Sequence, residues 1–305
     1  MIAPQRGREG FILVAVLWLL GALATLALIY SAFISATATA VAGATDRVQT
    51  EAALRAAIEM TCFQRLNGGV QGTTNDRLDI RVGSVKISTS YRSEAARVDL
   101  NHASRELLSG LIASIGISPV LADAYASRIV GWRTRVSAGS IDDESENSLY
   151  RAAGLNYLPR HAPFPHVDEL WLVHGIPKFV IARILPSVTI YNGRGSINVL
   201  EAAPQVIAAL PKMTPERVQS ILSARELNAA DPSRVLTLAA AGGDTVAAEP
   251  SRAMRMTVQM TFDNGRQVKS EAVVFVRDDA GEACRVLNVR NDLDEEARVI
   301  AAAER

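Results

Sequence analysis

Cysteine is scarce in this chain. There are two, Cys62 and Cys284, far apart in sequence. They form no CxxC and stand in no Cys/His cluster, which excludes the zinc and thiol-redox motifs defined by spacing. An excess of charge of either sign is lacking as well: 32 Lys and Arg balance 32 Asp and Glu, so no global field draws the chain to nucleic acid or anionic lipid. The four histidines, His102, His161, His166 and His174, are not at paired ligand spacing, and each reads as a surface or loop residue. HExxH, GxSxG, the P-loop and the Rossmann glycine fingerprint are all missing. Nothing sets a nucleophile beside a base, so the chain reads as a protein that is not an enzyme.

What it has is a long apolar run. After Arg6, Arg8 and Gly10, no charged residue occurs from Phe11 to Thr45. Phe11 to Phe33 is long enough to cross the roughly 30 Å hydrocarbon core, which takes about 20 helical residues. Arginines ahead of such a segment stay on the cytoplasmic side, which places the remainder outside. A cleaved secretory signal is the alternative, with an A-x-A site in "SATATAVAGA", but its apolar core is about 7–15 residues and this run is longer. The helical pattern continues past the membrane. Leu54, Ala57, Ile58, Thr61 and Cys62 make one stripe, Glu51/Arg55 and Arg55/Glu59 pair at i,i+4 on another face, and the first break is Asn67-Gly68-Gly69. One helix of more than fifty residues is therefore expected, apolar all round in its first half and amphipathic in its second.

A short charged leader ending in Gly, a Phe beyond it and a long half-membrane helix resemble the type IV pilins and the pseudopilins of type II secretion. The resemblance implies cleavage between Gly10 and Phe11 by the prepilin peptidase, and N-methylation of Phe11. Most members carry glutamate at the fifth mature position, which here is Ala15. The large K-type minor pseudopilins resemble this chain in usually lacking it. A lone carboxylate in hydrocarbon is costly and is normally paired.

Beyond the glycines, Arg77–Val82, Val85–Tyr91 and Ala96–Leu100 alternate with period two, with Gly83-Ser84 as a turn. Late in the chain, "AMRMTVQMTFDNGRQVKSEAVVFV" reads as a hairpin turned at Asp263-Asn264-Gly265, and Cys284–Arg290 as a further strand. Strands at both ends of the soluble part with helices between them predict a helical insertion in an α+β sheet domain. The middle holds a loose internal repeat. "VDLNHASRELLSGLIASIGISPVLADAYASRIVGWR" and "INVLEAAPQVIAALPKMTPERVQSILSAR" each carry a short helix, a tight turn and a helix opened by Ser118-Pro119 or Thr214-Pro215. Val167–Val173 and Pro177–Leu185 add helix between the copies.

Paired helices around a tight turn also resemble the helix-hairpin-helix module that grips DNA phosphates. That module uses a Gly-x-Gly hairpin whose N–H groups face the phosphate. "SIGIS" and "LPKMT" have no such pair, and no basic excess supports phosphate neutralisation. A membrane-tethered DNA-binding protein and a minor pilin of a type IV pilus stay as alternatives. The phrases "VDLNHAS", "IVGW", "YRAAGLNYLPRHAPFPHVDELWLVHGI" and "INVLEAAPQVIAALPKMT" resemble the recurring blocks of K-type pseudopilins. That resemblance implies an α+β fold: a long N-terminal transmembrane and amphipathic helix, a pilin-like antiparallel sheet, and inserted all-α SAM-like domains. Its parts would be a leader at 1–10, the helix at 11–66 with 11–33 in the membrane, the pilin-like domain at 67–100 and 251–292, inserted domains at 101–193 and 194–250, and a tail at 293–305.

Family members can bind calcium in the insertion. The acidic stretch Ile141–Asn147, with Asp142, Asp143, Glu144 and Glu146, offers hard oxygen ligands in what reads as a flexible loop. A solvated acidic loop without an ion is the alternative. It departs from EF-hand spacing, and Arg133, Thr134 and Arg135 follow Trp132 where many relatives have aspartates. In an oxidising periplasm Cys62 and Cys284 can bridge; buried free thiols are the other reading. The resemblance implies I- and J-type minor pseudopilins, other pseudopilins, inner-membrane secretion components and the prepilin peptidase as partners, with no nucleic acid. It implies a single-pass protein of the bacterial inner membrane, N-terminus cytoplasmic and bulk periplasmic, at the tip of a pseudopilus whose assembly it helps to start.

Overall fold

A computed structural model describes residues 9–67, 76–135, 141–227, 232–277 and 284–291, with backbone alone at 9–11, 67, 76 and 141–145. The chain divides into two compact units, Met1–Arg55 and Ala56–Arg305. Helix α1, Glu9–Asn67, is 59 residues long. It contains no proline, and among the described residues it is the one helix long and apolar enough to cross a membrane. In its first unit the large apolar side chains, from Ile12 through Trp18 to Ile34, are exposed. Its hydroxyls are closed locally: Thr25, Thr37, Thr39 and Thr45 each donate to a carbonyl three or four residues back. In an apolar medium that keeps these four threonine hydroxyls paired. Every residue of the predicted stripe, Leu54, Ala57, Ile58, Thr61 and Cys62, is buried.

After the end of α1, the second unit continues with β1 (Asp76–Val82) and β2 (Val85–Ser93), joined at Gly83, whose φ of +56° suits glycine. The next expected strand, Ala96–Leu100, does not form as such. Glu94–Ala96 is a turn of 3-10 helix and only Val98–Asp99 (β3) is extended. The backbone has to leave the sheet here, and Ser93 caps the turn by accepting from the Ala95 N–H. The insertion then runs through α2 (Arg105–Ser114), α3 (Pro119–Arg133), α4 (Ile141–Ala152), a 3-10 helix at Val167–Leu172, α5 (Lys178–Ile184) and β4 (Val188–Thr189). It continues with β5 (Ile197–Asn198), α6 (Pro204–Ala208), α7 (Pro215–Leu227), α8 (Pro232–Ala239) and β6 (Val246–Ala247). The chain re-enters the sheet as β7 (Ala253–Phe262), β8 (Gln267–Val276) and β9 (Cys284–Arg290).

The sheet order is β1-β2-β7-β8-β9, antiparallel throughout. β2 pairs directly with β7, from Val85 opposite Phe262 to Ser93 opposite Met254. Everything between Ser93 and Ala253 is thus a loop of the sheet, filled by helices. Met254, Met256, Val258, Met260 and Phe262 alternate inward on β7, with Val85 and Ile87 beside them on β2. The β7–β8 turn places Gly265 at φ +82°, as the Asp-Asn-Gly signal requires.

The two repeat copies are each closed by a two-residue parallel ladder, β3 with β4 and β5 with β6. Their buried residues form one continuous core, from Val98 and Leu107 through Ile181 to Val206, Ile221 and Val235. α2 meets α6 so closely that a Cβ on Gly110 would fall 2.1 Å from the Ala209 carbonyl oxygen. Only glycine allows that approach.

Candidate functional site

Gly10 and Phe11 lie in the first turn of α1, and their side chains fall outside the described set, as do residues 1–8. Ala15 is exposed. No acidic or basic side chain interrupts the helix surface from 12 to 45. The chemistry available at this end is that of an apolar rod.

Where the chain leaves the sheet, a buried charge network ties the insertion to the strands. Glu94, fully buried, accepts from Arg255 Nε at 2.8 Å and Nη2 at 3.2 Å, and from the Thr189 hydroxyl. Arg255 also reaches Glu271 on β8, and Arg97 stands 3.9 Å from Glu94. Burial alone would lower the Arg255 guanidinium, but the Glu94 and Glu271 carboxylates more than offset it and raise its pKa. Arg97 is held below its ordinary value by burial and by the Arg255 charge. Close by, Glu201 accepts from the Ser93 N–H at 3.0 Å, and Ser93 Oγ accepts from the Ser251 N–H at 2.8 Å. Both ends of the insertion are thereby fastened at one place.

Each repeat copy begins with the same strand-to-helix turn. In the first, Leu100 N–H donates to the Thr189 carbonyl and Ala103 N–H to the Asp99 carbonyl. In the second, Val199 N–H donates to Ala247 and Ala202 N–H to Asn198. The side chain ahead of the turn folds over it. Asp99 Oδ1 accepts from the Asn101 and His102 N–H groups, and Asn198 Oδ1 from the Leu200 N–H. Asp99 Oδ2 additionally receives the Gly193 N–H at 2.8 Å. Into each turn runs an arginine from the end of the second helix of the pair: Arg133 donates to the Leu100 and Ala103 carbonyls, and Arg225 to the Ala202 carbonyl. Burial lowers both guanidinium pKa values, that of Arg225 to about 10; the Asp99 charge opposes the shift at Arg133 and Glu201 opposes it at Arg225.

The acidic stretch is not a loop. Ile141–Ala152 is helix α4, because acidic residues in a first turn favour a helix N-terminus and Tyr150, fully buried, anchors the far end. Asp142, Asp143 and Glu144 fall in the first turn of that helix, and their side chains lie outside the described residues. The Glu146 carboxylate lies against α3, where a Cβ on Gly131 would come within 2.5 Å of both its oxygens. Burial pushes the Glu146 carboxyl pKa up, with the His161 and Arg128 charges pulling the other way. Of the four proposed calcium ligands, Asp142, Asp143, Glu144 and Glu146, Glu146 has a described side chain, and it packs on α3.

The histidines make separate local contacts. His102 Nδ1 is 3.1 Å from Asp99, His161 Nδ1 is 3.3 Å from the Thr134 carbonyl, His166 Nε2 is 3.4 Å from Asn288 on β9, and the His174 N–H donates to the Tyr150 hydroxyl. Cys62 of α1 and Cys284 of β9 are joined by a disulfide, Cα–Cα 6.0 Å. The tight turns of the repeat are present, with Gly116 at φ +92° in the first and Lys212 at φ +57° in the second. Sequence reasoning missed the Glu94 network and the two inserted arginines. The signal for the latter was available, since "IVGWR" and "ILSAR" end the two copies on the same residue.

Residues 88–193 match the family model described as type II secretion system (T2SS), protein K. That segment runs from the middle of β2 to the end of the first inserted copy. Among solved structures, a chain of the GspK-GspI-GspJ complex from the type 2 secretion system of enterotoxigenic Escherichia coli has a similar fold, with a TM-score of 0.55 and 13% sequence identity, over 80% of this chain and 94% of that one. No curated protein sequence matches the chain.

Proposed function

We infer that this chain is a K-type minor pseudopilin of a type II secretion system, a structural protein that acts by assembly. The observation that carries the reading is where the family match falls. It covers the first copy of a helical insertion that leaves an antiparallel sheet after β2 and returns to it as the adjacent strand β7, in a chain with one apolar helix long enough to anchor it among the described residues. The single-pass anchor follows from that helix.

The finer reading is supported by the chain's own residues. Gly10-Phe11 after an arginine leader is the place for the prepilin peptidase to cut, leaving the anchor whole, with Phe11 as the methylated terminus. Arg6 and Arg8 set the N-terminus in the cytoplasm, so the sheet and its insertion lie in the periplasm, a compartment suited to the Cys62–Cys284 bridge. The E. coli neighbour crystallised with GspI and GspJ, and we take I- and J-type minor pseudopilins as the partners with which this chain starts a pseudopilus and caps its tip.

The test is genetic and biochemical together. Deleting the gene should stop export of the host's secreted proteins while leaving pilus-dependent motility and DNA uptake intact. Full-length protein extracted in detergent should co-purify with the I- and J-type subunits. Loss of motility with secretion unaffected would move the chain to a type IV pilus, and retention of DNA in a mobility-shift assay would favour the tethered DNA-binding reading.

A further inference from the structure

We propose that Arg133 is the resident cation of the first inserted copy, filling a site that a divalent metal would otherwise fill, so that the insertion is calcium-independent. The acceptors define the site. The Leu100 and Ala103 carbonyls, three residues apart in one tight turn, both accept from Arg133, and the fully buried Asp99 carboxylate folds over the same turn. Two backbone carbonyls that share one cation are hard oxygen donors of the kind calcium takes, and Asp99, whose own oxygens accept N–H groups, supplies counter-charge nearby. Here the positive charge is delivered covalently, from the last residue of α3.

Three further observations bear on it. The guanidinium is planar and presents paired donors in a fixed fork, which lets two of its nitrogens serve two carbonyls at once, whereas a lysine would have to reach both from one nitrogen. The Asp99 charge works against the lowering that burial imposes on the Arg133 pKa, as a counter-charge should. The second copy repeats the device independently. Ile129, Trp132 and Arg133 correspond to Ile221, Ala224 and Arg225 by their order before the shared arginine. Ile129 and Ile221 are both buried, and Arg225 binds the Ala202 carbonyl at 2.7 Å, the counterpart of Ala103. The second clamp is less complete. Arg225 Nε and Nη2 are shielded and have no hydrogen-bond partner among the described residues, and Asn198 stands where Asp99 supplies charge.

The experiment uses full-length protein in detergent, with Tm followed by intrinsic fluorescence. A ligand that binds only the native state raises Tm by several degrees when saturating. Unmodified protein should therefore melt at the same temperature in EGTA and in millimolar calcium. Arg133→Met, which keeps the volume and removes the charge, should lower Tm by about 5–10 °C by leaving two buried carbonyls unserved. Arg133→Lys should fall between the two. Arg225→Met should cost less than Arg133→Met. A Tm drop of several degrees on chelation of the unmodified protein would overturn the proposal, because a bound metal would then be holding the fold. An unchanged Tm in Arg133→Met would overturn it as well. If Arg133→Met fails to fold, the chelation arm and Arg133→Lys decide.

Discussion

Glu94 shows how much one buried charge can depend on distant partners. Its carboxylate is wholly inside, and its two oxygens are taken by Arg255 and Thr189. Removing one member of such a set leaves a buried counter-charge, which costs about 3–5 kcal/mol. Glu94→Gln should accordingly lower stability by about 3 kcal/mol in urea unfolding, and Glu94→Gln with Arg255→Met should recover part of it. An additive double mutant would mean the two side chains are not coupled. No local pattern announces this network. Glu94, Thr189 and Arg255 are brought together only by the meeting of β7 with the start of the insertion and with β4 in its middle, and sequence periodicity reports faces, not partners. Lys212 is the reverse case, since its strain is local. It holds φ +57° in the turn before α7, a conformation that costs a residue with a Cβ roughly 1–2 kcal/mol. Lys212→Gly should raise stability by about 0.5–1 kcal/mol. A loss of stability would mean that the lysine side chain contributes more than its backbone conformation costs.

Periodicity served best for elements that bury one face. The stripe on α1 and the β7–β8 hairpin were legible because each repeats its apolar residues at its own period, and the helices opened by Ser118-Pro119 and Thr214-Pro215 were legible from their cap-and-proline starts. It failed where tertiary context overrides local preference. Ala96–Leu100 alternates like a strand but is pulled out of the sheet to begin the insertion, and only Val98–Asp99 pairs, with β4. The acids of α4 read as loop ligands, although a helix N-terminus tolerates them well and the buried Asn147 and Tyr150, three apart, mark a helical face. The link between α1 and β9 is the element-scale feature open to direct test. Cys62 and Cys284 close a loop of 222 residues, for which the chain-entropy model gives about 5 kcal/mol and engineered or removed bridges typically show 2–4. The double variant Cys62→Ser, Cys284→Ser should lose stability in that range and become insensitive to dithiothreitol, whereas the unmodified protein should melt lower when reduced. Equal melting of the unmodified protein with and without reductant would mean that the bridge contributes nothing measurable.

Strands, helices, then strands again was the feature that exposed the whole molecule, since an uninterrupted sheet would not place a repeat of helices between its own strands. What stayed hidden was that both repeat copies share one core, a tertiary contact that local patterning does not report; Gly110 marks one close approach within it. The apolar helix and the proposed cleavage ahead of it concern the whole chain. Mass spectrometry of the mature chain should find a terminus at Phe11 with one added methyl group, and a bulky residue at Gly10 should leave the leader attached. A terminus between Ala36 and Ala44 would instead indicate a secretory signal. Ala15 then decides where such a chain can stand. A subunit within a filament has a neighbour above it, whose N-terminal amine can meet a fifth-position carboxylate; a subunit at the tip has none. An unpaired carboxylate in hydrocarbon costs about 2.5–3.5 kcal/mol on insertion scales. Ala15, exposed on α1, avoids that cost. Ala15→Glu should therefore weaken initiation, measured as fewer pseudopili per cell and reduced export at equal protein level. Site-specific cross-linking should find this chain with I- and J-type subunits only. Regular recovery of it along the filament shaft, or undiminished initiation by Ala15→Glu, would remove it from the tip.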